Sequence, residues 1–214
     1  MRNWLHVGFV QVDEQKMSKS LGNFFTIREV IAKYQPEVLR YFLLSSHYRS
    51  PINYTEQSLQ QSKAALDRLY LALRDFPLPA KITRPRKITK TEEIYEHRFK
   101  AALDDDFNIP EALPVLFDLA HEINKNVNKA PKKALLLANI LRRLGSILGL
   151  LETDPSEFLQ GGGVADGRIE HLVAERDEAR RAKNWAESDR LRAELEALGI
   201  VVEDSPKGTL WRKK

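Results

Sequence analysis

The chain has 214 residues, 34 Lys and Arg against 30 Asp and Glu, and 43% hydrophobic residues, which suffices for a packed core in one domain with an appendage or in two modest domains. Its lack of cysteine excludes a disulfide framework, a cysteine-ligated zinc or iron–sulfur centre and a thiol nucleophile. No run of about 18 apolar residues occurs and no basic start leads into an apolar stretch, so neither a membrane span nor a signal peptide is expected, and a cytoplasmic location is the default.

Residues 1–10 read as an apolar strand, with Val10, Gln11 and Val12 alternating as at a sheet edge before a turn at Asp13-Glu14-Gln15. No convincing partner strand follows until the last residues, so the chain is expected to start inside a larger domain. Next comes Lys16-Met17-Ser18-Lys19-Ser20-Leu21-Gly22-Asn23, two lysines three apart in a loop with two hydroxyls and a Gly-Asn turn. Thr26 with Glu29 makes a capping box ahead of Ile27, Val30, Ile31 and Tyr34.

Pro36 suits the first turn of a second helix carrying Val38, Leu39, Tyr41, Phe42, Leu43 and Leu44, apolar nearly all round and therefore expected to be buried. Ser50-Pro51 breaks it. Thr55 caps a third helix with Leu59, Leu66, Leu69, Tyr70 and Leu73 in one stripe, ending before Pro77. A proline-containing basic crossover follows, with Lys81, Arg84, Arg86, Lys87 and Lys90. Further helices are predicted from about Thr91 to Leu103, near 110–128 and over 131–151, the last with Leu135, Leu136, Ile140, Leu141, Leu144, Ile147 and Leu148. Short connections favour antiparallel packing.

Pro155 and the glycines 161–163 mark residues 154–167 as a flexible linker. Beyond it, a helix over 168–183 directs Ile169, Leu172, Val173 and Ala179 inward. Asn184 and Glu187 cap a helix that Gly199 stops, and Ile200–Val202 and Thr209–Trp211 read as two strands. On the second helix Leu191, Leu195 and Leu198 form the core stripe. Trp185, Asp189 and Arg192 form a separate one at i, i+4 and i+7. That second stripe suits stacking of an unpaired base and bonding to its edge. It equally suits an indole plugging the gap between two helices beside an Asp189–Arg192 ion pair, and the pattern alone leaves both open. Trp211 is assigned to the hairpin core.

The segment of residues 16–20 carries the clearest chemistry. Ammonium groups on flexible stems suit a triphosphate whose charge moves as a bond breaks, with hydroxyls and backbone N–H groups helping to cradle the phosphates. Lys16 to Ser20 resembles the KMSKS signature of class I aminoacyl-tRNA synthetases. Trp4 to Val10, Lys16 to Phe25, Tyr41-Phe42-Leu43, His47 to Pro51, Asp105 to Leu113 and the stretch Arg180 to Trp211, ending Gly208 to Arg212, resemble the cysteinyl-tRNA synthetase family in particular. The resemblance covers essentially the whole chain.

It implies ATP-dependent attachment of cysteine to tRNA(Cys), with ATP as a substrate accompanied by Mg2+. Lys16, Met17, Ser18, Lys19 and Ser20 would form the ATP loop, with Lys16 and Lys19 catalytic. Lys19 would bind the nucleotide, and Lys16 would help stabilise phosphate charge as pyrophosphate leaves. Carried over from the family's anticodon reader, Trp185 would stack, while Arg180, Asp189, Arg192 and Asp204 would bond base edges. The family's HIGH motif and its Zn2+ site are absent, so the chain is expected to be the C-terminal portion of the enzyme and inactive alone. His6 has no second ligand at usable spacing, and no metal site is assigned to it or to Asp104-Asp105-Asp106.

The expected fold is mainly α. The strand and KMSKS loop of a truncated α/β catalytic domain (1–30) precede an antiparallel helical bundle touching the tRNA stem (31–153), the linker (154–167) and a small α+β anticodon-binding module (168–214). The other candidates are a non-catalytic tRNA-binding or adaptor protein, a purely structural helical scaffold, and the related ligase joining cysteine to an amino sugar. The scaffold leaves the KMSKS string unexplained, and residues 168–214 argue against the sugar ligase.

Overall fold

Val10–Val12 (β1) finds two partners, and they define the front of the molecule. In this computed structural model, which describes residues 4–23, 25–78, 89–161, 167–205 and 208–213, β1 pairs antiparallel with Gln15–Lys16 (β2) and parallel with Ile52–Tyr54 (β3). The long apolar strand expected over residues 1–10 shrinks accordingly: Trp4, Leu5, Val7 and Phe9 lie outside the ladder and are exposed. β3 sets Val10 opposite Ile52 and Val12 opposite Tyr54. The sheet therefore takes in residues beyond 30, where the sequence pattern ends the first segment. A parallel pair needs a crossover, and Ile27–Ile31 (α1) and Pro36–Leu44 (α2) supply it.

The Thr26–Glu29 capping box opens α1 as expected. Only one face of α2 is buried, through Val38, Tyr41 and Phe42, while Leu43 is exposed; an apolar circumference did not place the whole helix in the core. Thr55 caps Glu56–Leu73 (α3), and all five residues of its predicted stripe are buried. Lys90–Asp104 (α4) starts at a Thr89–Glu92 capping box. Ile109–Asn126 (α5) and Pro131–Ile147 (α6) complete the bundle, with α5 packed on α3, α4 and α6. Leu135 and Ile147, expected inside, are exposed.

Two arginines on α6 pin this unit. Buried Arg142 donates to the carbonyls of Phe76 and of Pro77 (2.9 Å for the latter), taking up acceptors beyond the end of α3. Arg143 lies 2.7 Å from Glu92 and 2.8 Å from Glu96 of α4. Glu37, whose pKa is raised by burial, accepts from the Tyr70 hydroxyl at 2.7 Å and from Leu151 N at 2.8 Å, tying α2 and α3 to the chain after α6.

The chain divides into two compact units, Met1–Thr153 and Asp154–Lys214. Within the second, Pro155–Leu159 (α7) is helical where a flexible linker is expected, because Asp154 caps it and Pro155, Phe158 and Leu159 are buried. Residues 162–166 of that expected linker lie outside the described residues. Gly167–Arg181 (α8) and Trp185–Ala197 (α9) pack together, and Ile200–Ser205 (β4) pairs antiparallel with Gly208–Lys213 (β5). Ile169, Leu172, Val173, Leu191, Leu195, Ile200 and Val202 form the core, with half-buried Trp211 against it. No helix among the described residues is long and apolar enough to cross a membrane.

Candidate functional site

The lysine loop is held at its root by backbone pairing and closed by one amide side chain. β1 and β2 set Gln11 opposite Lys16, and the intervening Asp13 and Glu14 both have positive φ, of 48° and 65°. Asn53 on β3 accepts from Glu14 N at 2.9 Å, which fixes this turn. Beyond β2, Met17 N donates to Val10 O at 3.3 Å. Asn23 then bridges the loop: its Oδ1 accepts from Ser18 N at 2.9 Å and its Nδ2 donates to Lys16 O at 3.3 Å. Ser18 Oγ caps a 3-10 turn at Lys19–Leu21 by accepting from Leu21 N, and Gly22 leaves it at φ 66°.

Of the five residues assigned to ATP, Lys16, Lys19 and Ser20 are exposed, while Met17 and Ser18 are half-buried. The Lys16 ammonium sits 4.7 Å from the centre of the Phe9 ring, a cation–π contact, and Ser18 Oγ and Ser20 Oγ are 3.2 Å apart. The structure thus brings all five into one stitched loop with both ammonium groups at its surface. Such groups can follow charge as it moves along a phosphate chain.

The second unit presents a different arrangement. Lys183 at φ 57° and a bond from Asn184 N to Ala179 O fold α8 tightly into α9, so Trp185 stands at the first position of α9. Its side chain is 58% exposed and does not fill the gap between the helices. Asp189 and Arg192 are exposed and make no hydrogen bond or ion pair with each other or with any described residue. The neighbouring Arg190 is engaged instead, by Glu187 and Glu194. Leu198, expected in the core stripe, lies past the helix end and is exposed.

Arg180 and Asp204 are brought to each other, with Nη1 2.5 Å from Oδ2. Arg176, only 2% exposed, donates to Asp204 Oδ1 at 2.8 Å and Oδ2 at 3.3 Å and to Thr209 Oγ1 at 2.8 Å. Thr209 in turn donates its hydroxyl and its N–H to Asp177. The Arg176 hydrogen bond, and then the charges of Arg176 and Arg180, hold the Asp204 carboxyl below the usual carboxylate range. Asp204 is therefore part of the anchor between α8 and the hairpin, whatever else it touches. The sequence pattern missed Arg176, Asp177 and Thr209. A signal was present: Arg176 follows Leu172 by four residues and precedes Ala179 by three, on the inward stripe.

His6 is exposed, and no group of three or more His, Cys, Asp or Glu able to hold a metal occurs among the described residues. With no cysteine in the chain, the residues present do not fit the zinc site that the family resemblance implies. Of the basic crossover, Lys90 opens α4, while Lys81, Arg84, Arg86 and Lys87 lie outside the described residues.

Comparison with known proteins adds three family matches in chain order. Residues 1–64 match the tRNA synthetases class I (C) catalytic domain, residues 98–152 the DALR domain, and residues 165–212 the cysteinyl-tRNA ligase anticodon binding domain. A cysteine–tRNA ligase of Methylococcus capsulatus is 52% identical over 99% of this chain. Along its whole length the chain is similar to the cysteine–tRNA ligase family. Family members from Thioalkalivibrio sulfidiphilus and Tolumonas auensis are 53% and 51% identical over 98% and 100% of the chain. The chain spans about half the length of these relatives, 46% for Methylococcus, 45% for Thioalkalivibrio and 46% for Tolumonas. The lysine loop and its three-stranded sheet fall within the catalytic-domain match, and Trp185 with its α9 neighbours falls within the anticodon-binding match.

Proposed function

We propose that this chain supplies the ATP loop and the tRNA-reading parts of a cysteine–tRNA ligase, which activates cysteine with ATP and transfers it to tRNA(Cys). In the activating step a cysteine carboxylate oxygen attacks the α-phosphorus of Mg2+-bound ATP, the bond to the bridging oxygen breaks, and pyrophosphate leaves with the electron pair. Lys19 would bind the nucleotide and Lys16 would neutralise charge gathering on the departing phosphates, both from a loop whose backbone is already fixed by Asn23. Such preorganised charge supplies much of the acceleration in phosphoryl chemistry.

The boundaries belong to the same proposal: residues 1–30 as the end of the catalytic domain, 31–153 as the helical body along the tRNA stem, and 168–214 as the anticodon reader. Trp185 stacks on an unpaired base there, with Asp189 and Arg192 offering an acceptor and donors for its edge. Arg180 reaches the same loop from its Asp204 partner. The protein works in the cytoplasm, without a membrane partner.

The observation that carries the proposal is the lysine loop itself, closed by Asn23 with both ammonium groups at the surface. In the full-length enzyme, Lys19→Ala should slow ATP–pyrophosphate exchange by about 100-fold or more and leave tRNA affinity within about twofold. A larger effect on tRNA affinity than on exchange would remove this role.

A further inference from the structure

The turn between α4 and α5 is joined to the strand that feeds the lysine loop. Arg49 donates Nε to Asp106 Oδ2 at 2.6 Å and Nη2 to Oδ1 at 3.0 Å, a two-pronged ion pair. The Tyr48 hydroxyl donates to the same Oδ1 at 2.7 Å. His47 stacks on Tyr48 with ring centres 4.9 Å apart, and Phe107 meets Tyr48 edge-on at 6.4 Å. The segment bearing these groups lies against the strand entry: Gly8 N donates to Tyr48 O at 2.8 Å, and Ile52 N to Phe9 O at 3.0 Å. A Cβ on Gly8 would come within 2.1 Å of the Ser50 carbonyl oxygen, so only glycine fits this crossing. Phe9 then carries the Lys16 ammonium over its ring. Contacts run without a break from Asp106 to Lys16.

A second observation concerns the backbone. Asp106 and Phe107 adopt φ of 52° and 53°, two consecutive residues with side chains in the left-handed region that disfavours them. Backbone held this way persists where its surroundings over-determine it. The ion pair is exposed, and an isolated exposed pair contributes little to folding. Two side chains, Arg49 and Tyr48, converging on one carboxylate at a strained turn serve location better than stability.

We propose that Asp106, gripped by Arg49 and Tyr48, is a positioning residue for adenylate formation, fixing the Gly8–Phe9 segment and through it the Lys16 ammonium relative to the nucleotide. This rests on Lys16 belonging to an ATP loop. No one of the three touches ATP; they act through Lys16.

The test uses the full-length enzyme with Asp106→Asn, Tyr48→Phe, Arg49→Ala and the pair Asp106→Asn with Arg49→Ala. Asp106→Asn should lower kcat for ATP–pyrophosphate exchange by about 10-fold and shift KM for ATP less than about twofold. Transfer of preformed adenylate to tRNA and the thermal midpoint should be unchanged. Tyr48→Phe, which keeps the ring and loses the hydroxyl, should lower exchange by about threefold. The double variant should be no worse than the more damaging single change, as for residues acting as a unit. Exchange, transfer and thermal midpoint falling together would overturn the proposal, as would unchanged exchange. Lys16→Ala in the same assay separates the two levels. If it abolishes exchange while Asp106→Asn does nothing, positioning fails alone; if it leaves exchange intact, the ATP-loop assignment fails as well.

Discussion

The lysine loop and the α8–α9 unit both expose the side chains proposed to act, but they hold them by opposite means. The loop has almost no core of its own: a two-residue strand, one bridging amide from Asn23 and a 3-10 turn fix its backbone, and the lysines extend from it on flexible stems. The second unit fixes a face instead. Its helices close on a leucine and isoleucine core, a buried guanidinium bolts α8 to the hairpin, and the indole projects from the first position of α9. Chemistry that moves charge along a phosphate chain is served by ammonium groups able to follow it. Recognition of a base is served by a flat surface already in place, because a mobile one would lose entropy on binding.

The contrast predicts that changes to the groups anchoring the second unit act through folding and changes in the loop act through order without unfolding. The largest effect is expected at Asp204. Asp204→Ala would strand the Arg176 guanidinium, and removing one partner of a buried pair costs about 3–5 kcal/mol; with Asp204 itself 41% exposed, about 2–3 kcal/mol is expected. Urea unfolding followed by Trp fluorescence measures it. A stable variant defective only in RNA binding would make Asp204 a base reader and not an anchor.

Asn23→Ala is expected to weaken the loop by about 1 kcal/mol, the net worth of its hydrogen bonds. That is roughly fivefold in the population of the open loop. Tryptic cleavage after Lys16 and Lys19 should rise by that factor with an unchanged thermal midpoint. Equal cleavage of variant and parent would mean that the amide does not close the loop.

The smallest effect on folding stability is expected at the Asp106 clasp. Its carboxyl is held down to about 2, first by the Arg49 hydrogen bond and then by the Tyr48 hydroxyl, against an ordinary value of 3.8. A depressed carboxyl contributes stability that is complete above the ordinary value and is lost as pH falls through the folded one. The clasp should therefore stay closed at neutral pH and open only between about pH 4 and pH 2. NMR titration should place the Asp106 midpoint near 2, and Arg49→Ala should move it back towards 3.8.

Much of the helical body was legible because helix starts are written locally. Thr26 with Glu29, and Thr55 with a stripe of buried leucines, specify their helices within a few residues. Thr89 with Glu92 carried the same signal two residues ahead of the predicted start of α4. Other features depend on distant partners. β3 is three residues long and reads as a strand only once β1 lies beside it. The apolar run Trp4 to Phe9 suggested a longer strand, but no described residues pair with it in a ladder. α7 hides behind Pro155 and a glycine run, although Pro at a first helical position favours a helix. Lys16 to Ser20 and the α9 stripe stood out as candidates from residue type and spacing, and the resemblance gave them their roles. The groups that fix their surroundings were less visible. Arg49 meets Asp106 across 57 residues, and Arg176 is a charge at a core position, where periodicity expects an apolar side chain.

The measurement that bears most directly on the whole account is binding of this chain, and of its Trp185→Ala variant, to tRNA(Cys) and to a tRNA(Cys) whose anticodon bases are replaced. The parent should prefer the native anticodon, and Trp185→Ala should weaken that binding by about 1–3 kcal/mol without altering the unfolding transition. Equal affinity of the parent for both RNAs, or an unchanged affinity in the folded variant, would contradict an RNA-reading face on α9.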